Sequence, residues 1–267
     1  METILLPVIA LTAIGLLLSV LLVLASKFLT VKNDETFEKI RECLPGVNCS
    51  ACSYPSCDEY AKAILNGEKT NRCIPGGDAA SRKISEVLGT KFEDVQEMSA
   101  YVACGGNCDV VGKVYNYDGV KTCAACSILS RGERACDFAC LGYGDCIKAC
   151  NYDAIHVKNG VAKVDKSKCV GCGMCVNQCP HHLIHLIPQK DESIVSCSNT
   201  NKGLLTRQVC KVGCIGCKRC EKACISDAIK VENNLARIDY SKCTNCKACV
   251  KECPTNAIKE YLFCDNG

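Results

Sequence analysis

Tryptophan is absent from this 267-residue chain, and aromatics make up only 5% of it. With so few large rings no extensive apolar core is available, and the length allows one to three small domains. Nucleotide chemistry is missing as well. No P-loop occurs and no Gly-rich loop lies in a strand–helix context, so neither nicotinamide nor flavin is expected on this chain. No Ser–His–acid constellation stands out, and nucleic acid is not among the expected partners. Long apolar runs are absent except for one, Ile4 to Ala25, 22 residues without a charge.

What the chain has in quantity is cysteine, 28 residues. Cysteine above a tenth of a sequence usually marks a secreted disulfide scaffold, but such chains are short and their thiols unclustered. Here the thiols fall into metal-ligand runs, which need a reducing compartment. Cys214, Cys217, Cys220 and Cys224 read C-x2-C-x2-C-x3-C, and Cys243, Cys246, Cys249 and Cys253 repeat that spacing, closed by Pro254. In bacterial ferredoxins the fourth Cys of each run crosses to the other cluster. Cys214, Cys217, Cys220 and Cys253 are therefore expected to hold one [4Fe–4S] cube, and Cys224, Cys243, Cys246 and Cys249 a second. Paired zinc sites also use C-x2-C, but two such runs with a terminal Cys-Pro favour iron.

A shift of 74 residues maps this unit onto an upstream copy. Cys243, Cys246, Cys249, Cys253 and Pro254 fall on Cys169, Cys172, Cys175, Cys179 and Pro180. Asp227-Ala228-Ile229 falls on Asp153-Ala154-Ile155, and each triplet is expected to start a short strand. The chain thus carries two ferredoxin-like units in tandem. The copy lacks one ligand, because Cys217 aligns with Tyr143. Cys136 is the nearest substitute in sequence, giving Cys136, Cys140, Cys146 and Cys179 for one cluster and Cys150, Cys169, Cys172 and Cys175 for the other.

Upstream, Cys49, Cys52, Cys57 and Cys73 run C-x2-C-x4-C-x15-C, with a helix expected from Asp58 to Asn66. Four thiols of this spacing suit a single [4Fe–4S] cluster, with zinc the alternative. A linking helix is expected over Asp78 to Met98. Cys104, Cys108, Cys123 and Cys126 then form C-x3-C-x14-C-x2-C, which is either a further metal site or a set of buried thiols. Five clusters are expected, six if that last set binds. Cys43, Cys197, Cys210 and Cys264 are expected to carry no metal, and the four histidines to be solvated or at strand edges. Residues 188–208 read as a polar connection.

The apolar run has the length of a membrane-spanning helix, about 33 Å at roughly 1.5 Å per residue. A cleaved signal peptide is the competing reading, but Met1-Glu2-Thr3 is no basic leader. Lys27 and Lys32 follow the run, so the positive-inside rule places the N-terminus outside and the remainder on the cytoplasmic side of a bacterial membrane. The expected architecture is α+β, built of small iron–sulfur domains. It comprises a single-pass anchor over 1–27, a tether over 28–42, a one-cluster module with its helix over 43–98, and a Cys-containing segment over 99–134. Ferredoxin-like units over 135–187 and 210–267, joined by 188–209, complete it.

Taken together, Leu44-Pro45-Gly46, Cys49, Cys52, Tyr54-Pro55, Cys57, Tyr60-Ala61, Cys73, Pro75-Gly76-Gly77 and the ferredoxin units resemble the B-type subunit of the Rnf complex, in the form with an extra ferredoxin unit. The resemblance implies an electron-transfer component of an ion-translocating ferredoxin:NAD oxidoreductase. Its partners would be soluble ferredoxin, the other subunits of the complex, and the lipid bilayer. The one-cluster module alone is similar to one in corrinoid iron–sulfur proteins, so an electron-supplying component of a carbon-monoxide or corrinoid enzyme is the alternative. Ser50 and Ser53 stand where that module commonly has Gly, a departure that bears on amide–sulfur geometry.

Charge distinguishes the two units. From Cys210 to Glu260 there are ten Lys/Arg against six Asp/Glu, a net of +4, whereas Cys136 to Leu186 has five against four. With roughly −2 from each oxidised four-thiolate cube, the second unit ends near neutrality and the first near −3. An acidic ferredoxin is expected to dock on the second unit, and the module tethered by the anchor is expected to be the exit.

Overall fold

The computed structural model describes residues 13–24 and 35–261. Residues 13–24 are helical, a length of about 18 Å at ~1.5 Å per residue. Among the described residues no helix is long and apolar enough to cross a membrane. That finding corrects the expected single-pass anchor, together with the membrane placement, the orientation and the bilayer contact drawn from it. The ends of the apolar run, like Cys264, lie outside the described residues.

The one-cluster module is three helices, Glu35–Cys43, Cys57–Leu65 and Gly77–Leu88. Ser56 caps the second, its hydroxyl accepting the Glu59 N–H at 3.2 Å. Ile40, Tyr60, Ala61 and Ile84 close the core between them. The third helix stops ten residues short of the expected Met98. Gly89 takes the left-handed conformation there (φ 65°), which ends a helix at little cost. Asp78 caps no helix; its carboxylate instead accepts the Val95 N–H at 2.7 Å and holds the outgoing chain.

The remainder is built from four two-stranded antiparallel ribbons. Within the first ferredoxin unit β2 (Ile155–Lys158) pairs with β3 (Val161–Val164), and within the second β6 (Ile229–Glu232) pairs with β7 (Leu235–Ile238). Asn159-Gly160 and Asn233-Asn234 turn these hairpins with positive φ at both centres, the twist-matched arrangement Asn and Gly permit. Each unit is closed by a strand from the chain ahead of it. β1 (Met98–Val102) pairs with β4 (Ile184–Pro188), and β5 (Ser193–Val195) pairs with β8 (Ile258–Glu260).

Residues 188–209, expected as a polar connection, carry regular structure. They contain β5 and the helix Gly203–Val209, and they bury Asp191, Asn199 and Thr206 almost completely. Its polar groups are partnered inside: Lys166 Nζ donates to Asp191 O at 3.1 Å, and Thr206 Oγ1 donates to Asn201 O at 3.2 Å. The two ferredoxin units therefore meet along a packed seam.

Candidate metal centres

Each cysteine run of the ferredoxin units wraps into a loop and then a short helix. In all four runs the residue before that helix is left-handed: Gly144, Gly173, Lys218 and Lys247, with φ between 59° and 82°. Gly142 adds a close approach, since a Cβ there would stand 2.6 Å from the Gly160 carbonyl oxygen. The loops thus turn their thiols and several main-chain N–H groups inward together.

The cavities of these loops gather cysteines in fours. Cys49, Cys52, Cys57 and Cys73 line a space of about 310 Å³. Cys150, Cys169, Cys172 and Cys175 line another of about 310 Å³. A third, of about 370 Å³, is lined by Cys123, Cys140, Cys146 and Cys179. In the second unit Cys220 has Cys214, Cys217 and Cys253 as electrostatic neighbours, and Cys249 has Cys243, Cys224 and Cys246. Apart from Cys136, the structure brings together the four-cysteine sets expected in the one-cluster module and the two ferredoxin units, crossover included.

Cys136 is elsewhere. It lines a separate cavity with Cys104, Cys197 and Cys210, and Cys123 takes the place that spacing had given it. Thr122 caps the helix Cys123–Ile128, accepting the Ala125 N–H at 3.1 Å, while Asp145 accepts the Ala124 N–H at 3.0 Å. Those two bonds fix Cys123 against the helix Asp145–Lys148. The sequence signal for this was the N-cap Thr directly ahead of Cys123, a local helix start read only as part of a Cys pattern. The expected set Cys104, Cys108, Cys123 and Cys126 is dispersed: Cys108 is exposed beside Arg134, at 3.4 Å, and Cys126 is fully buried. Cys197 and Cys210, expected to carry no metal, share the cavity of Cys104 and Cys136.

Main-chain amides point at these sulfurs. Ala100 N–H donates to Cys169 Sγ at 3.3 Å, Leu183 N–H to Cys179 Sγ at 3.4 Å, and Ala228 N–H to Cys224 Sγ at 3.3 Å. Burial pushes the thiols of Cys140, Cys146, Cys175 and Cys220 up to about 12, and that of Cys73 to about 11. A buried thiolate needs a cationic centre to stay ionised. Among the described residues no three Cys, His, Asp or Glu converge tightly enough to hold a single ion. An iron–sulfur cube spreads its four thiolates over four irons, and all-cysteine linings with amide donors fit it.

Ser50 and Ser53 both lie in the left-handed region, at φ 59° and 72°. This explains why Gly suits those two places, and the serines sustain the same turn at a conformational cost.

Comparison with known proteins agrees with this geometry. A family model described as "Putative Fe-S cluster" matches residues 44–75, and one described as "4Fe-4S binding domain" matches 162–185 and 236–259. The B-type subunit of the "Proton-translocating ferredoxin:NAD(+) oxidoreductase complex" of Clostridium ljungdahlii is 36% identical, over 90% of this chain and 86% of its own length. The chain belongs to the B-type subunit family of ion-translocating oxidoreductase complexes. Other members include the B-type subunit of the "Na(+)-translocating ferredoxin:NAD(+) oxidoreductase complex" of Acetobacterium woodii, 39% identical over 91% of this chain and 73% of its own. Its counterpart in the "Ion-translocating oxidoreductase complex" of Methanosarcina acetivorans is 36% identical over 87% and 89%. Membership in this family makes the chain an electron-transfer component of a multi-subunit oxidoreductase complex, carrying iron–sulfur domains and no substrate chemistry of its own.

Proposed function

We propose that this chain takes electrons singly from ferredoxin at its C-terminal unit and delivers them through [4Fe–4S] clusters to partner subunits at its N-terminal module. The ligands would be Cys49, Cys52, Cys57 and Cys73; Cys150, Cys169, Cys172 and Cys175; Cys123, Cys140, Cys146 and Cys179; Cys214, Cys217, Cys220 and Cys253; and Cys224, Cys243, Cys246 and Cys249. When bound, such clusters supply reversible one-electron storage at potentials tuned by amide–sulfur bonds and solvent exposure.

The observation that carries this reading is the adjacency of successive cysteine sets. Tyr152 has Cys172, Cys49, Cys73 and Cys150 as electrostatic neighbours, and Cys172 has Cys49 as one of its own. Cys146 in turn neighbours Cys175 and Cys179. The module and the first unit thus form an unbroken file, in which Cys57, Cys73, Cys140, Cys146, Cys172 and Cys175 are buried and none of the other thiols in these sets is fully exposed. At the other end Lys218, Lys222 and Lys251 are exposed, and the unit's side-chain charge of +4, which offsets that of two oxidised cubes, suits an acidic donor better than the more negative first unit.

The test is stopped-flow mixing of the anaerobically prepared full chain with reduced ferredoxin, followed by visible absorbance. Bleaching on mixing, slowed by salt, supports the reading. A chain that stays oxidised while dithionite reduces it would overturn the ferredoxin assignment.

A further inference from the structure

We propose that Cys104, Cys136, Cys197 and Cys210 are the ligands of a sixth [4Fe–4S] cluster, seated on the seam between the two ferredoxin units and joining their electron paths. This rests on the proposed function for its role, but the site itself stands on the geometry below.

The four thiols come in two equivalent pairs. Cys136 and Cys210 are related by the 74-residue repeat. Cys104 and Cys197 are related by the fold. Val102 at the end of β1 pairs with Ile184, Val195 at the end of β5 pairs with Ile258, and Ile184 and Ile258 are again one repeat apart. Two residues beyond each valine stands the cysteine. The hydrogen bonds repeat as well: Cys140 N–H donates to Cys104 Sγ at 3.4 Å, and Cys214 N–H donates to Cys197 Sγ at 3.3 Å. Each unit therefore offers the same two thiols to one cavity. The cavity is about 300 Å³, close to the 310 Å³ of the module.

The sulfurs carry the donors seen at the other sites. Tyr54 N–H serves Cys52 and Met174 N–H serves Cys172, each from two residues downstream. Phe138, Asn199 and Val212 do the same for Cys136, Cys197 and Cys210. The Asn199 side chain, 2% exposed, adds a bond from Nδ2 to Cys136 Sγ at 3.4 Å. Buried thiols that merely pack have no need of such directed donors.

Two further features suit an anionic cube. Gly106 covers it at close range: a Cβ there would stand 3.5 Å from Cys210 Sγ and 3.8 Å from Cys104 Sγ, and 2.6 Å from Val111 Cγ2. Lys259 is half-buried with Cys104 and Cys210 as its attractive neighbours, and it forms no ion pair with a carboxylate among the described residues. A four-thiolate cluster supplies the negative charge that this ammonium faces. On ligation the four thiols give up their protons; in turnover the site gains one electron from one neighbouring set and passes one to the other, with no net change. Cys140 and Cys214, whose amides touch Cys104 and Cys197, belong to those two neighbouring sets.

The experiment counts iron, acid-labile sulfide and zinc in the anaerobically prepared full chain and in Cys197→Ala/Cys210→Ala, with Cys43→Ala as control. Six sites give about 24 irons and 24 sulfides per chain, and five give about 20. The double variant should lose about four of each while the control loses none. In the folded variant reduced ferredoxin should still reduce the second unit, while reduction of the first unit and module slows at least ~100-fold. About 20 irons in the unaltered chain overturns the sixth site and leaves the five-cluster reading intact. A folded chain free of iron overturns both. Full iron in the double variant, or loss of one zinc in place of four irons, overturns the sixth site alone. Should the double variant fail to fold, the count on the unaltered chain decides.

Discussion

Tyr143 donates its phenolic hydrogen to Glu133 Oε1 at 3.0 Å, which commits to a carboxylate the position that its repeat partner Cys217 gives to a thiol. Glu133 is buried, and it also accepts from Lys113 Nζ at 2.9 Å and the Tyr117 N–H at 3.1 Å. In the cavity of that run Cys123, from outside the repeat, stands with Cys140, Cys146 and Cys179. Cys123→Ser should lose about four irons per chain, and Cys123→Ser/Tyr143→Cys should regain them. Iron analysis of the two variants checks this; iron unchanged in Cys123→Ser would return the ligand to another residue.

Much of this arrangement was legible in the sequence. The 74-residue repeat, the crossover of the fourth cysteine and the helix after Cys57 all follow from local spacing. The places of Cys123 and Cys136 do not, because they depend on chain far from the repeat. β1 and β5 pair with distant strands, Met98 with Pro188 and Ser193 with Glu260. Only that pairing carries Cys104 and Cys197 to the seam. The burial within the polar stretch after Pro188 was not legible for a related reason: Asp191 and Asn199 find their partners, Asn245 and Cys136, far away in the chain.

Electrostatic docking makes a kinetic prediction. Arg219 is already paired with Glu252, at 2.9 Å, so Lys218 and Lys222 are the better targets. Lys218→Glu/Lys222→Glu should slow reduction by ferredoxin roughly tenfold at low ionic strength and leave the rate at high salt nearly unchanged. Stopped-flow rates across a salt series test it, and equal rates at low salt would exclude this face.

The left-handed serines of the module predict a stabilising change. Ser50→Gly and Ser53→Gly should each raise stability by roughly 1 kcal/mol, since a side chain in that conformation costs about 1–2 kcal/mol and glycine avoids it. Thermal unfolding of the iron-loaded protein is the measurement; a lower midpoint would show that the serine side chains contribute more than the strain removes.

Buried thiols predict a pH dependence of iron retention. An ordinary thiol titrates at 9.0, and burial raises Cys140, Cys146 and Cys175 to about 12, so the protonated form is favoured in the iron-free fold. Cluster binding must displace those protons. Apparent affinity therefore rises with pH and falls on acidification, by roughly tenfold per unit for each proton displaced. In the iron-free chain the sign reverses: raised thiol values stabilise the fold below pH 9.0 and that contribution is lost between 9.0 and about 12. Chelator competition at two pH values tests the first statement, and retention that fails to rise with pH would contradict it.

Electron flow along cysteine-held clusters, from the C-terminal unit to the N-terminal module, is tested most directly by freeze-quenched electron paramagnetic resonance. The anaerobic full chain is mixed with less than one equivalent of reduced ferredoxin and trapped at successive times. Signals are assigned with Cys52→Ser for the module and Cys246→Ser for the outermost set of the second unit. Flow in that direction predicts that the signal lost in Cys246→Ser appears first and that the signal lost in Cys52→Ser follows it. Appearance of the module's signal at full rate in Cys246→Ser, ahead of any signal from the second unit, would contradict it.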